Sequence, residues 1–158
     1  MYKSICFTGH RKIKPTEQLR DKLLNRLELL IQNGATDFYA GGAYGWGIIC
    51  ELAVLKMKER YPQIKLHLIL PCSAKEQTLN WNNLCKKQYY YILNNADSIE
   101  YVSEHYTNDC MKRRNARLIE LADCCVCYYN ENSRRSGTGQ TVRMARRKGI
   151  NIVNVKNS

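Results

Sequence analysis

Three short runs in this chain combine glycines with hydroxyl or basic side chains: Thr8-Gly9-His10-Arg11, Gly41-Gly42-Ala43-Tyr44-Gly45-Trp46-Gly47 and Ser136-Gly137-Thr138-Gly139. Glycines let a ligand come close to the main chain. A helix that starts from such a run offers its first N–H groups, unpaired within the helix, at the positive end of its dipole. The chemistry this suits is the binding of an anion, above all a nucleotide phosphate. The candidate ligand contacts are therefore Thr8, Gly9, His10, Arg11, Gly41, Gly42, Ala43, Gly45, Ser136, Gly137 and Thr138. Glycine also serves ordinary tight turns, and Thr138 equally suits a plain helix N-cap.

Other residues carry a chemical and a structural reading side by side. His10, next to Arg11, suits an anion or ribose contact as well as a turn. Trp81 and the run Tyr89-Tyr90-Tyr91 can stack a base, although aromatic residues at helical spacing usually fill a core. Glu51 reads as a surface helix residue, with a catalytic carboxylate as the alternative. Three cysteines fall as Cys124-Cys125-x-Cys127 inside an apolar strand-like run. Adjacent strand residues point to opposite faces, which scatters the thiols and disfavours a tetrahedral metal site, so no metal is expected.

The elements that must hold these runs follow from hydrophobic periodicity. Tyr2 to Thr8 reads as a strand, and a helix entered at Pro15 carries Leu19, Leu23, Leu24, Leu27, Leu30 and Ile31 on one face before stopping at Asn33-Gly34. A second strand begins at Ala35 and leads through the glycine run into a helix that includes Leu52 to Lys58; Tyr61-Pro62 ends it. Ile64 to Leu70 is a third strand, residues 74–95 are mostly helical, and Ser98 to Val102 is a short fourth strand. A helix over Asp109 to Leu121, a strand over Asp123 to Tyr129, a helix over Gln140 to Lys148 and a strand over Ile150 to Val155 complete the chain. Such alternation implies a mostly parallel sheet covered by helices on both faces, because parallel neighbours need crossover connections. All three glycine runs then fall at one edge of the sheet, the carboxyl ends of the strands, where ligands of open α/β sheets bind.

Composition frames this as one domain over residues 1–158, with 44% hydrophobic residues, enough for a core. The formal charge of +11 suits a phosphate ligand, a nucleic acid or a basic surface. The basic runs Lys112-Arg113-Arg114, Arg134-Arg135 and Arg146-Arg147-Lys148 are read mainly as solvated helix ends, so nucleic acid is the less favoured partner, and a homo-oligomer stays open. Eight cysteines read as reduced, buried thiols of a cytoplasmic protein. Met1 leads straight into a strand, so no signal peptide is expected, and no apolar run reaches membrane-spanning length.

The chain resembles the SLOG superfamily, the Rossmann-like group that joins the DprA/SMF proteins to the LOG (Lonely Guy) phosphoribohydrolases, and within it the small YpsA-like bacterial branch. The resemblance runs through Thr8-Gly9-His10-Arg11, Gly41-Gly42-Ala43-x-Gly45, Leu70-Pro71-Cys72, Gln77, Trp81, Arg114-Asn115, Leu121-Ala122-Asp123, Ser136-Gly137-Thr138, Thr141-Val142 and Ala145, in order over nearly the whole chain. It implies a single Rossmann-like domain with a nucleotide pocket. It also aligns Arg114 with an arginine of the LOG pattern, making it a phosphate-gripping and candidate catalytic residue beside Glu51; the bland reading is a solvated helix arginine.

Two departures from that pattern bear on chemistry. Similar proteins often carry an acidic residue where this chain has Gly47, and the final LOG turn carries a glutamate where this chain offers Gln140 and Thr141. Neither replacement can ionise, so strong hydrolysis of nucleoside monophosphates is not expected. The resulting expectation is a nucleotide or ADP-ribose-like binding sensor or accessory protein with no further cofactor and a ligand of open identity. The alternatives are a LOG-like N-glycosidic hydrolase and a DprA-like single-strand DNA binder.

Overall fold

The computed structural model describes residues 1–133 and 135–157. Six strands form one parallel sheet: β1 (Ser4–Gly9), β2 (Asp37–Ala40), β3 (Lys65–Leu70), β4 (Ser98–Tyr101), β5 (Cys124–Tyr128) and β6 (Asn151–Asn154), in the spatial order β4-β3-β2-β1-β5-β6. Between them run α1 (Glu17–Gln32), α2 (Trp46–Arg60), the single turn α3 (Ala74–Gln77), α4 (Asn83–Asn95), α5 (Cys110–Leu121) and α6 (Gly137–Lys148). This is a Rossmann-like α/β fold, and the sheet is wholly parallel rather than mostly so.

Strand alternation divides the core. Ile5, Phe7, Cys124 and Val126 pack with α1, α2 and α4 on one face, while Cys6, Cys125 and Cys127 pack with α5 and α6 on the other. The chain moves outward from β1 to β4, and α5 then returns it to the far side of β1. The loops leaving the neighbouring strands β1 and β5 therefore turn to opposite faces, and a crevice opens between them, as expected where strand order reverses.

Several boundaries differ from the periodicity. Pro15 lies outside α1: Thr16 is the N-cap, its side chain accepting from the Leu19 amide at 3.1 Å. The expected helix over residues 74–95 is broken. Thr78 donates its hydroxyl to the Ala74 carbonyl at 2.8 Å, and Asn82 caps α4 by accepting from the Cys85 amide at 2.8 Å. That break brings the Trp81 ring against Tyr44 and Tyr89. Helix α6 starts at Gly137 rather than Gln140, so Gly137, Thr138 and Gly139 form its first turn, and the N-cap is Ser136, accepting from the Gly139 amide at 3.0 Å. Helix α2 starts at Trp46, inside the glycine run, which places Glu51 in its second turn.

Candidate functional site

The crevice at the carboxyl ends of β1 and β5 has a volume of about 320 Å³. Thr8, Gly9, His10 and Arg11 line it from the end of β1, Gly41 and Ala43 from the end of β2, Arg114 from α5, and Ser136, Gly137 and Thr138 from the start of α6. Gly42 and Gly45, which the sequence also nominates, are not among its walls. Tyr44, Met111 and Leu118 do line it without having been singled out, and so does Asn115, for which the Arg114-Asn115 pair was a usable signal. A second cavity of about 700 Å³ shares Arg11, Tyr44, Gln77 and Met111 with the first and adds Trp81 and Tyr106. The two spaces are therefore contiguous.

Glycine is required here mostly for contacts within the protein. A Cβ at Gly9 would lie 2.2 Å from the Trp46 ring, and one at Gly41 would lie 2.6 Å from the Arg114 guanidinium. Gly42 combines φ +65° with Leu70 at 2.6 Å, and Gly45 combines φ +81° with the Arg11 main chain at 2.2 Å. A substitution at Gly42 would thus act through packing and not by shielding backbone from a ligand. Gly137 is the contrast: a Cβ there would meet nothing within 4 Å, on the open side of the first turn of α6.

His10 is committed to the scaffold. Its Nε2 accepts from the Asn130 amide at 2.9 Å, which places the proton of the neutral ring on Nδ1, and its carbonyl accepts from the Trp46 amide at 3.2 Å. Partial burial, then the nearby Lys156, holds its pKa below the ordinary value, so the ring is neutral at pH 7 and offers no charge to an anion. Arg11 is exposed at the crevice mouth and supplies a cation.

Two sequence readings are overturned by burial. Glu51 is no surface residue: it is 0% exposed under the Gly41-Gly42 turn, and neither carboxyl oxygen has a hydrogen-bond partner. Arg114 is not a solvated helix arginine. It is 6% exposed, with Nη1 donating to the Gly41 carbonyl, Nε to Asn115 Oδ1 at 2.7 Å and Nη2 to the Met111 sulfur at 3.6 Å. Burial pushes the Glu51 carboxyl up to about 8, only partly opposed by the Arg114 charge and by the nearby Gly42 amide, which lacks hydrogen-bond geometry. Burial also lowers Arg114 to about 10, against the raising effect of Glu51, so Arg114 remains charged at pH 7.

Among the expected stacking residues, Tyr89 is core at 2% exposure with its hydroxyl unpaired, Trp81 is nearly buried, and Tyr90 and Tyr91 face solvent. Seven of the eight cysteines are buried free thiols, and Cys85 is half-buried. Among the described residues no group of three His, Cys, Asp or Glu side chains could hold a metal, and no helix is long and apolar enough to cross a membrane. Of the basic runs, Lys112 and Arg113 are exposed, Lys148 donates to the last-turn carbonyls of α5 at Ile119 and Glu120, and Arg134 lies outside the described residues.

The sheet order and crevice define a class, Rossmann-like α/β domains with a crevice at the strand switch point. Solved structures share this fold. DNA processing protein A from Helicobacter pylori, described for its single-stranded DNA binding mode, superposes with a TM-score of 0.67 at 20% identity over 98% of this chain and 70% of its own. DprA from Streptococcus pneumoniae gives 0.67 at 15% identity, over 96% and 49%. The chain belongs to the YspA SLOG family, whose YpsA model matches residues 4–156. A UPF0398 protein of Bacillus pumilus is 30% identical over 116 residues, 72% of this chain and 61% of the relative. Another, from Halalkalibacterium halodurans, is 28% identical over 105 residues, 65% and 54%. The matched stretch thus spans less than two thirds of either relative.

Proposed function

We propose that the crevice between β1 and β5 binds a nucleotide or nucleotide derivative, with a phosphate at the first turn of α6 near Arg11 and Arg114 and the base in the adjoining cavity beside Tyr44. The observation that carries this reading is convergence. Ten residues nominated as ligand contacts from distant stretches of sequence form the walls of one crevice, at the place where open α/β sheets hold their ligands. Unpaired amides at a helix start and a buried, charged arginine suit an anion; the aromatic-edged cavity next to them suits a ring.

Binding without turnover is favoured over hydrolysis. Gln140 points to solvent and Thr141 spends its hydroxyl on the Gly137 carbonyl at 2.9 Å, so neither supplies the missing carboxylate. Glu51, behind the Gly47 wall of the crevice, is a neutral, unexposed carboxyl and cannot stabilise a cationic ribose, and Glu76 of the adjoining cavity is held by the Tyr106 amide at 2.8 Å and by His105 at 3.4 Å. Single-strand DNA binding gains less support, because Lys112 and Arg113 sit at the start of α5 whereas Arg146 to Lys148 end α6 at the opposite edge of the sheet.

Thermal shift and calorimetry with ADP-ribose, NAD, AMP and ATP test the proposal. A ligand at a hundred times its Kd should stabilise the fold by about 2.7 kcal/mol. If none of the four raises the melting temperature and inorganic phosphate and sulfate also fail, the reading is wrong. AMP incubated with the protein should yield no free base.

A further inference from the structure

We propose that the ligand enters the crevice as an anion paired with an Arg114 charge that buried Glu51 leaves uncancelled by keeping its proton, and that binding weakens when Glu51 gives that proton up. This rests on the nucleotide reading of the crevice and narrows it to phosphate esters over neutral nucleosides.

Arg114 lines the crevice and is tied to the Gly41 carbonyl, Asn115 and Met111, none of which carries a negative charge. Its counter-charge could only be Glu51, which lies behind the turn with both oxygens unpartnered. A buried carboxylate without hydrogen bonds is costly, whereas the neutral acid is tolerated. Gly47, at the crevice wall, puts no side chain over this acid: its missing Cβ would sit 4.0 Å from Glu51 Oε1. The space in front of Arg114 therefore presents net positive charge while Glu51 is protonated and a near-neutral pair once it ionises.

Other titratable groups lie around Glu51, and burial has moved several of them well above its range. Tyr89 of α4 lies near it with an unpaired hydroxyl that burial pushes far up, and Cys50 on its own helix is raised well above its usual value, first by burial and then by Glu51 itself. Cys72, beyond β3, is pushed up to about 11 by burial, and Cys110 of α5 lies close to Cys72 and Arg114. Tyr101 of β4 neighbours Tyr89, and Cys125 and Cys127 of β5 neighbour Cys50, the last two with thiols raised by their surroundings. His10, held below its ordinary value, is already neutral, and Arg114, lowered to about 10, keeps most of its charge up to about pH 9. A phosphate monoester, with its second pKa near about 6, is mostly dianionic at about pH 7 and above, so it adds little transition of its own there.

The experiment is calorimetric titration of AMP into the wild type and Glu51→Gln at about pH 7 and about pH 9, where Glu51 is largely ionised and Arg114 still largely charged, in two buffers of different ionisation enthalpy. Wild-type affinity should fall by about tenfold as Glu51 ionises, with proton uptake on binding at the higher pH. Glu51→Gln should change less than about twofold and take up no proton. A wild type with a flat profile and no uptake overturns the proposal, as does a variant that follows the wild type. Adenosine binding as tightly as AMP overturns its anion half. If neither AMP nor inorganic phosphate binds to either protein, the nucleotide reading itself falls. The proton on Glu51 is then read without ligand: a carboxyl carbon resonance titrating near pH 8 and missing in Glu51→Gln confirms it, and its absence refutes it.

Discussion

Two polar clusters on this protein use similar side chains to opposite effect. Across the amino ends of β2, β3 and β4, His67 bonds Asp37 at 2.8 Å through Nε2 and Ser98 at 2.6 Å through Nδ1, Thr36 donates to Asp37 at 2.8 Å, and the Tyr39 ring stacks on the imidazole. Below the β2 turn, Glu51, Arg114 and Tyr89 are buried, and both Glu51 oxygens and the Tyr89 hydroxyl lack partners. The first group places a hydroxyl, an imidazole and a carboxylate within hydrogen-bonding reach, yet it lines none of the cavities described and leaves each member paired. Its work is to tie three strands together. The second leaves polar atoms unsatisfied against a ligand-sized crevice, and unpaired buried polar groups persist where function compensates their cost. The difference teaches that the state of the hydrogen bonds, rather than the residue types, separates scaffold from site.

The pH dependence of stability should break the comparison most visibly. The Glu51 carboxyl is raised from 4.5 to about 8, so its contribution is fully present below about pH 4.5 and is lost as pH rises to about 8. Glu51→Gln should match the wild type near pH 4.5 and exceed it at pH 9 by several kcal/mol, at about 1.4 kcal/mol for each tenfold change in the acid's ionisation constant on folding. Urea unfolding at both pH values measures this; a variant less stable than wild type at pH 9 would mean the carboxylate is paired after all.

Next comes Arg114→Met, which keeps much of the apolar stem but leaves the Gly41 carbonyl unpaired in the interior. The expected loss is about 2–3 kcal/mol together with loss of AMP binding, checked by denaturation and calorimetry. Unchanged AMP affinity would remove Arg114 from the site.

Asp37→Asn probes the satisfied cluster. Burial pushes the Asp37 carboxyl up, and the bonds from His67 and Thr36 more than reverse this, leaving it below the usual value. Its stabilising contribution is present above about pH 3.8 and fades as pH falls through the lowered value. The group is partly exposed, so the variant should cost less than about 1 kcal/mol at neutral pH and leave AMP binding intact. A large drop in affinity would show that the two clusters communicate.

How far the sequence could see follows the same divide. The strand-helix alternation and the three glycine-bearing turns were legible, because period and turn chemistry are local, and so was the meeting of those turns at one sheet edge. Burial of Glu51 was not. Over Trp46 to Leu55 helix α2 is apolar on every side but for Glu51, with Trp46, Ile48, Cys50, Ala53 and Val54 all interior and the exposed charges Lys56, Glu59 and Arg60 only beyond, so no polar face there marks the acid as misplaced. The glycines were legible as special but for another reason: Gly9 against Trp46 and Gly41 against Arg114 are contacts between distant segments. The break before Asn82 was missed because it rests on side-chain caps, with no glycine or proline within it.

The central claim, that an anionic ligand sits on the first turn of α6, is tested most directly by titrating AMP into the wild type and Gly137→Asp in parallel. A Cβ at Gly137 meets nothing within 4 Å, and a carboxylate in the first turn of a helix is favourable to the dipole, so the melting temperature should stay level or rise slightly. The same carboxylate occupies and repels the phosphate position, and affinity should drop by about a hundredfold or more, the effect of replacing a favourable charge contact by a repulsive one. An intact variant that binds AMP as tightly as the wild type would contradict the account.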